Sequence, residues 1–378
     1  MRNYFSLDVV RGLAAISVLI THWGAWTFDY ADINTQVFYL SYKNIFLFLF
    51  GGGSGINPAV ICFIVLSGFC IHLPQALQPS NVNKVNFWYN FTVRRIIRIM
   101  PVFLFSLILG VLHTFLTTTS TNLLPNIITN PNTKVISFEL IFSFVGLSEI
   151  ARLFGASQLY PGNGPLSTVA VEMLLYASYP LYFLIYKYQG LLGLSIFGLG
   201  NYFCVFVGRY FDLLPFTLPG TLPEFTIYWI IGALSACAYV KFKLLNINFL
   251  LKRLFIGYLF FWLLISVYNF RGSHIFSTLF FSILIGGMLI FLLAWEQKIG
   301  KKAERVFRFA SIIGKRSYSL YAIHTPVIFV TLGFLIKYTS LPSHSFPYLI
   351  LISVILVSEI TYRLIELPSQ FYAQRWRL

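Results

Sequence analysis

The run LDVVRGLAAISVLITHWGAWTF, residues 7–28, decides the fold. It is apolar over a length that crosses a bilayer, about 20 residues at about 1.5 Å of rise each. Yet it carries Asp8, Arg11 and His22, which the core of a cleavable signal peptide would exclude. The run therefore reads as a permanent membrane span with polar chemistry inside it. A charged side chain at the bilayer centre costs about 2.5–3.5 kcal/mol even on the gentlest scale, so each one needs a partner or a task. Asp8 and Arg11 stand three residues apart and share a helix face. They are placed to pair with each other or with headgroups and so to anchor the helix. His22 lies about 16 Å further along the axis, back near that face after eleven residues.

The rest of the chain has the same character. Of 378 residues, 57% are hydrophobic and only 10% charged, with a mean hydropathy of +0.76. A soluble domain carries roughly 25% charged residues, so too little charge is present to cover a wet surface. The net charge of +15 would suggest nucleic acid in a soluble protein, but no basic, aromatic-interleaved soluble domain is present. Basic loops retained on the cytoplasmic side explain it, and nucleic acid is excluded as a partner. Cys62, Cys70, Cys204 and Cys237 lie in apolar segments without metal-ligand spacing, which predicts buried structural thiols and no metal site.

Eleven apolar segments can be marked: 7–28, 56–74, 100–118, 136–148, 166–186, 190–208, 225–242, 254–269, 275–295, 317–337 and 347–365. Stretches 75–99, 241–253 and 296–316 are basic, whereas 29–55, 119–135, 155–165 and 338–346 are nearly free of Lys and Arg. The positive-inside rule puts the first group in the cytoplasm and the second outside. Parity then requires that one segment between 118 and 225 does not cross. The shortest is 136–148, at about 1.5 Å per residue too short for about 30 Å of hydrocarbon. The expectation is an all-α polytopic bundle of about ten transmembrane helices. A short re-entrant or interfacial helix lies at the outer face, and both termini are cytoplasmic in the inner (cytoplasmic) membrane. No internal repeat or low-complexity linker divides the chain, so 1–378 reads as a single transmembrane domain.

Two further groups bear on function. Glu172, about a third of the way into the segment 166–186, is expected at a depth similar to His22. A carboxylate beside an imidazole would fix its tautomer and support the imidazolium. Alone, His22 would read as a satisfied core residue; Glu172 is the company that points to base chemistry. Arg95 and Arg98 share a face in Arg94-Arg95-Ile96-Ile97-Arg98-Ile99-Met100-Pro101. The pair reads either as a lipid-phosphate anchor or as a clamp for a polyphosphate cofactor, whose oxygens suit guanidinium forks. Pro101 falls where a first helical turn or a kink tolerates it. Taken together, these residues suggest a phosphorylated acyl donor held by Arg11, Arg95 and Arg98, its thioester arm reaching toward His22.

Here the chain resembles the acyltransferase-3 family of integral membrane O-acyltransferases. The motifs are Leu7-Asp8-Val9-Val10-Arg11-Gly12 with His22; Phe63-Ile64-Val65-Leu66-Ser67-Gly68-Phe69; Arg95-Ile96-Ile97-Arg98; Gly164-Pro165-Leu166 through Glu172, with Tyr176 and Pro180; Gly314 through Pro326, with Tyr318 and His324; and Glu366-Leu367-Pro368. Each is weak alone, but six in order are specific. The resemblance implies catalytic His22 with Glu172, donor-binding Arg11, Arg95 and Arg98, and supporting roles for Asp8, Ser67, Tyr176, Tyr318 and His324. It implies no permanently bound cofactor, acetyl-CoA as the donor substrate, and a glycan or glycolipid acceptor in the lipid bilayer, with glycan-export machinery as a partner. Ser167 stands where the family usually has Trp, which bears on the acceptor side. No soluble esterase-like domain is expected after the last span.

Other residues read more blandly. His324, with Ser317, Tyr321 and Thr325 nearby, suits a hydrogen-bonded helix-joining role, with a second catalytic base as the alternative. Ser67-Gly68 lacks a nucleophile elbow and suits close helix packing. Glu359 and Arg363 form an expected i,i+4 pair. A secondary transporter would use the same buried charges, but no inverted repeat or paired broken helices are evident. A non-catalytic assembly protein would not need Arg95, Arg98 and His22 together. The predicted topology has a direct check: a reporter fused near residue 150 should score as external, and a cytoplasmic signal would overturn the arrangement.

Overall fold

The computed structural model describes residues 4–27, 56–77, 85–118, 142–147, 160, 162–211, 221–244, 257, 274–300 and 302–376. Regular structure among them is entirely helical. In order, α1 is Phe5–Thr27, α2 Pro58–Leu77, α3 Val85–Thr118, α4 Leu166–Tyr210 and α5 Leu222–Leu244. Then come α6 His274–Ile299, α7 Lys302–Tyr338, α8 Phe346–Thr361 and, after a π-turn at Tyr362–Glu366, α9 Leu367–Gln374. Eight of the described helices are long and apolar enough to cross a membrane. The protein is an all-α, polytopic membrane protein.

Several boundaries depart from the hydropathy reading. α3 begins at Val85 and α7 at Lys302, so the basic stretches before Pro101 and Ser317 are themselves largely helical. Hydropathy sees only the part of a helix that suits lipid; the backbone continues past it. Pro101 therefore sits inside α3 rather than in its first turn. α4 holds two of the expected segments in one run of 45 residues, about 67 Å if straight at about 1.5 Å per residue. It is not straight. Gly190 takes φ 66° and ψ −158°, a conformation that costs a residue with a Cβ heavily. Beyond it the chain returns, with the rings of Tyr182 and Phe197 only 5.7 Å apart. The expected span 254–269 lies outside the described residues apart from 257. So does most of the expected re-entrant segment 136–148; its described part is a helical turn closed at Gly146 (φ 70°). There the Leu147 N–H donates to the Phe142 carbonyl at 2.9 Å and the Gly146 N–H to Ser143 at 3.1 Å, the Schellman ending.

By contacts the chain divides into two units. The first comprises Met1–Ala14, Asn44–Trp88 and Leu174–Lys315. Here α2 and α5 meet backbone to backbone: a Cβ on Gly68 would land on the Trp229 carbonyl, and one on Gly232 on the Val65 carbonyl. Ser67 donates to the Tyr176 hydroxyl at 3.0 Å. Gly314 presses on the Asp8 carbonyl in the same way. The start of α1 is capped by α6: Glu296 accepts from Phe5 N at 2.9 Å, Ser6 N at 3.0 Å and Ser6 Oγ at 2.5 Å. A carboxylate there satisfies orphan N–H groups and faces the positive end of the helix dipole. Cys62 and Cys237 are buried, but Cys204 is exposed, against the expectation for a thiol in an apolar run. An apolar face needs no protein cover where lipid is the solvent.

The second unit comprises Ala15–Lys43, Tyr89–Met173 and Arg316–Leu378. Trp23 Nε1 donates to the Pro347 carbonyl at 2.8 Å, joining α1 to α8. Glu359 pairs with Arg363 at 2.6 Å, as its spacing predicts, and also with Arg316 of α7 at 2.5 Å.

Replacing Gly68 by Val forces α2 and α5 apart. A loss of about 3 kcal/mol or more is expected, read as a collapsed monodisperse peak and a lowered melting point in detergent, while Gly200→Ala, with no atom within 4 Å of the new Cβ, should leave both near wild type.

Candidate functional site

The site in the second unit begins with a proline. Pro326 lies inside α7 and has no N–H, so the carbonyl four residues earlier, on Ala322, loses its helical donor. Asn163 replaces it: its Nδ2 donates to Ala322 O at 2.9 Å and to Ser106 O of α3 at 3.3 Å. The turn that delivers Asn163 is tight. Tyr160 has φ 64° and Gly162 φ 63°, and a Cβ on Gly162 would strike the Gly110 carbonyl of α3. Sequence reasoning missed Asn163, since the motif was read only from Gly164 onward. The signal was present in Pro161-Gly162-Asn163-Gly164-Pro165 together with a helix-interior Pro326.

The same turn of α7 carries His324, fully buried at 0% exposure. Its Nδ1 lies 2.6 Å from the Tyr321 carbonyl, and its Nε2 lies 3.2 Å from Thr325 Oγ1. That Nε2 is 2.7 Å from Nδ1 of His22, which α1 supplies. The two rings are parallel within 3°, with centroids 5.0 Å apart. His22 is half-buried. The imidazole that meets His22 is thus the histidine read from sequence as a helix-joining residue. Glu172 belongs to the same unit, half-buried and within electrostatic range of the Tyr321 hydroxyl. That hydroxyl donates to the Pro165 carbonyl at 3.2 Å.

On α3, Arg98 is exposed and Arg95 half-buried, its guanidinium 5.4 Å from the centroid of the Phe91 ring. The backbone at Arg98 is held from α7 and α9. Tyr318 Oη donates to the Ile99 carbonyl at 2.8 Å, and Ser369 Oγ reaches the Arg98 carbonyl at 3.5 Å. Glu366, in the π-turn, is within electrostatic range of Arg98 and accepts from Ser319 N at 3.0 Å and Ser319 Oγ at 2.5 Å. Single-turn π-bulges of this kind recur at functional sites. In sequence Glu366 stood out only as part of a terminal motif. Its buried role depends on Ser319, 47 residues away, which no local pattern signals.

Arg11 belongs to the first unit. It donates to Asp8 at 2.7 Å, the pair that the i,i+3 spacing predicts, and to Cys70 Sγ at 3.8 Å. Ser67 and Tyr176 belong there too. Among the described residues no group of three His, Cys, Asp or Glu is placed to hold a metal ion.

An imidazole pair set into two apolar helices, with arginines along a third, defines a membrane protein whose ionisable residues are placed for a task rather than for solubility. The family model for acyltransferase-3, an acyltransferase domain, matches residues 4–363, so the chain belongs to that family and is a membrane acyltransferase. No curated protein and no solved structure matches it.

Asn163→Leu should strand the Ala322 carbonyl in a buried site, costing about 1–3 kcal/mol. The check is thermal unfolding of the purified protein in detergent; an unchanged midpoint would mean that this carbonyl is satisfied otherwise.

Proposed function

We propose that the protein is an O-acetyltransferase of the cytoplasmic membrane, moving acetyl from cytoplasmic acetyl-CoA to a hydroxyl of an exported or surface glycan. The observation that carries this reading is the His22–His324 contact at 2.7 Å. A histidine inside a span is expensive unless it has a function, and this one is held in a fixed orientation by a second ring. The family supports acyl transfer in general; the donor, acceptor and orientation, with both termini cytoplasmic, are this proposal's own.

In this reading His22 acts as general base. It takes the proton of the sugar hydroxyl as the oxygen attacks the thioester carbonyl. The C–S bond then breaks, and the departing CoA thiolate receives the proton from the imidazolium. Glu172 supports that transient positive charge. Arg95 and Arg98 hold the CoA phosphates with forked hydrogen bonds. Direct transfer and a passing acyl-imidazole both start from an unprotonated ring nitrogen. The acceptor is expected to be delivered by the machinery that exports the glycan.

Mass spectrometry of cell-surface glycans with and without the protein should differ by one acetyl unit. His22→Ala should insert normally yet lower acetylation about 10²–10⁴-fold, the usual worth of a positioned base. Normal acetyl content in that variant would remove the mechanism.

A further inference from the structure

We infer that His324 is the positioning residue of the acyl-transfer site, holding His22 in the tautomer whose Nε2 bears the reactive lone pair. The inference rests on the reading of His22 as base and adds which nitrogen reacts and what orients it.

The argument starts at the Tyr321 carbonyl. A carbonyl oxygen only accepts, so the His324 nitrogen 2.6 Å from it, Nδ1, must carry a proton. His324 is wholly enclosed at 0% exposure, and an imidazolium sealed among apolar helices would be costly to bury. The ring is therefore neutral, and its Nε2 carries a lone pair. That nitrogen faces His22 Nδ1 at 2.7 Å and Thr325 Oγ1 at 3.2 Å. Two facing lone pairs at 2.7 Å would repel, so His22 Nδ1 is the donor. A neutral imidazole with hydrogen on Nδ1 has its lone pair on Nε2. The direction of the whole chain follows from a single backbone carbonyl.

This arrangement suits the step. When Nε2 of His22 takes the hydroxyl proton, the ring becomes an imidazolium whose Nδ1–H still points at the His324 lone pair. The bond becomes charge-assisted and strengthens, and the His324–Tyr321 bond polarises in the same sense. No proton has to move onto His324. Both of its nitrogens are engaged and no face is open to substrate, so it does not itself act as a second base.

The test compares His324→Gln with His324→Leu in the full-length protein in proteoliposomes, with labelled acetyl-CoA as donor and envelope glycan of the producing cell as acceptor. Gln offers an amide oxygen that can accept from His22 Nδ1–H but cannot titrate; Leu offers nothing. The expected result is a fall in kcat of about 100-fold or more for Leu, with the acetyl-CoA KM within about twofold, and recovery to within about tenfold for Gln. Selective ¹⁵N labelling of histidine in the wild type should show His22 protonated on Nδ1, a measurement that stands even if the Leu variant fails to fold. Equal activities of the two variants, or a wild-type His22 protonated on Nε2, would overturn the inference. Loss of activity in His22→Ala with full activity in His324→Leu would sink this inference alone; activity retained in His22→Ala would sink the acyl-transfer reading beneath it.

Discussion

Inside hydrocarbon there is no water to satisfy a polar group that the chain leaves unpaired, and the architecture depends on that constraint. Several helix ends and irregularities among the described residues meet a side chain that answers them. Pro326 deprives the Ala322 carbonyl of its donor, and Asn163 supplies one at 2.9 Å. The first N–H groups of α1 find Glu296. Ser319 finds Glu366, 47 residues away. Arg209, in the last turn of α4, meets the buried Glu224 in the first turn of α5 at 2.6 Å, and Tyr228 donates to the same carboxylate at 3.1 Å. These bonds are tertiary contacts as much as local repairs, because the answering residue usually comes from another helix.

Helix association faces a related problem. Lipid tails are as apolar as Leu, so burial alone does not draw helices together. The first unit relies on close backbone approach instead. Gly68 and Gly232 let α2 and α5 touch main chain to main chain, and Gly314 gives way to the Asp8 carbonyl. Dispersion attraction at that range is small for each pair of atoms but large when summed over the touching surfaces. Exchanging any of these glycine hydrogens for a methyl group turns that attraction into a collision.

The chemistry follows the same logic. A carboxylate in direct contact with His22 would bring a charge that hydrocarbon penalises. The ring placed beside His22 is instead that of His324, whose Nδ1 lies 2.6 Å from the Tyr321 carbonyl. Arg98, by contrast, is exposed, while the backbone beside it is tied down by Tyr318 at the Ile99 carbonyl and by Ser369 at its own.

Composition and hydropathy were enough to determine an all-helical membrane protein. Local spacing foretold the Asp8–Arg11 and Glu359–Arg363 pairs, because such pairs depend only on residues within one turn of a helix. The motifs singled out His22, Arg95, Arg98 and Glu172 as candidates. Legibility stopped where partners are distant in sequence. Nothing local reveals that His22 meets His324 across 302 positions, that Asn163 rather than another residue outside the helices completes α7, or that α4 turns back at Gly190. Sequence alone specifies which groups cannot remain unpaired in lipid, since that follows from residue type and segment polarity. Which group answers which is decided only when helices pack, because hydrogen bonds form over about 3 Å and only tertiary structure sets distances on that scale.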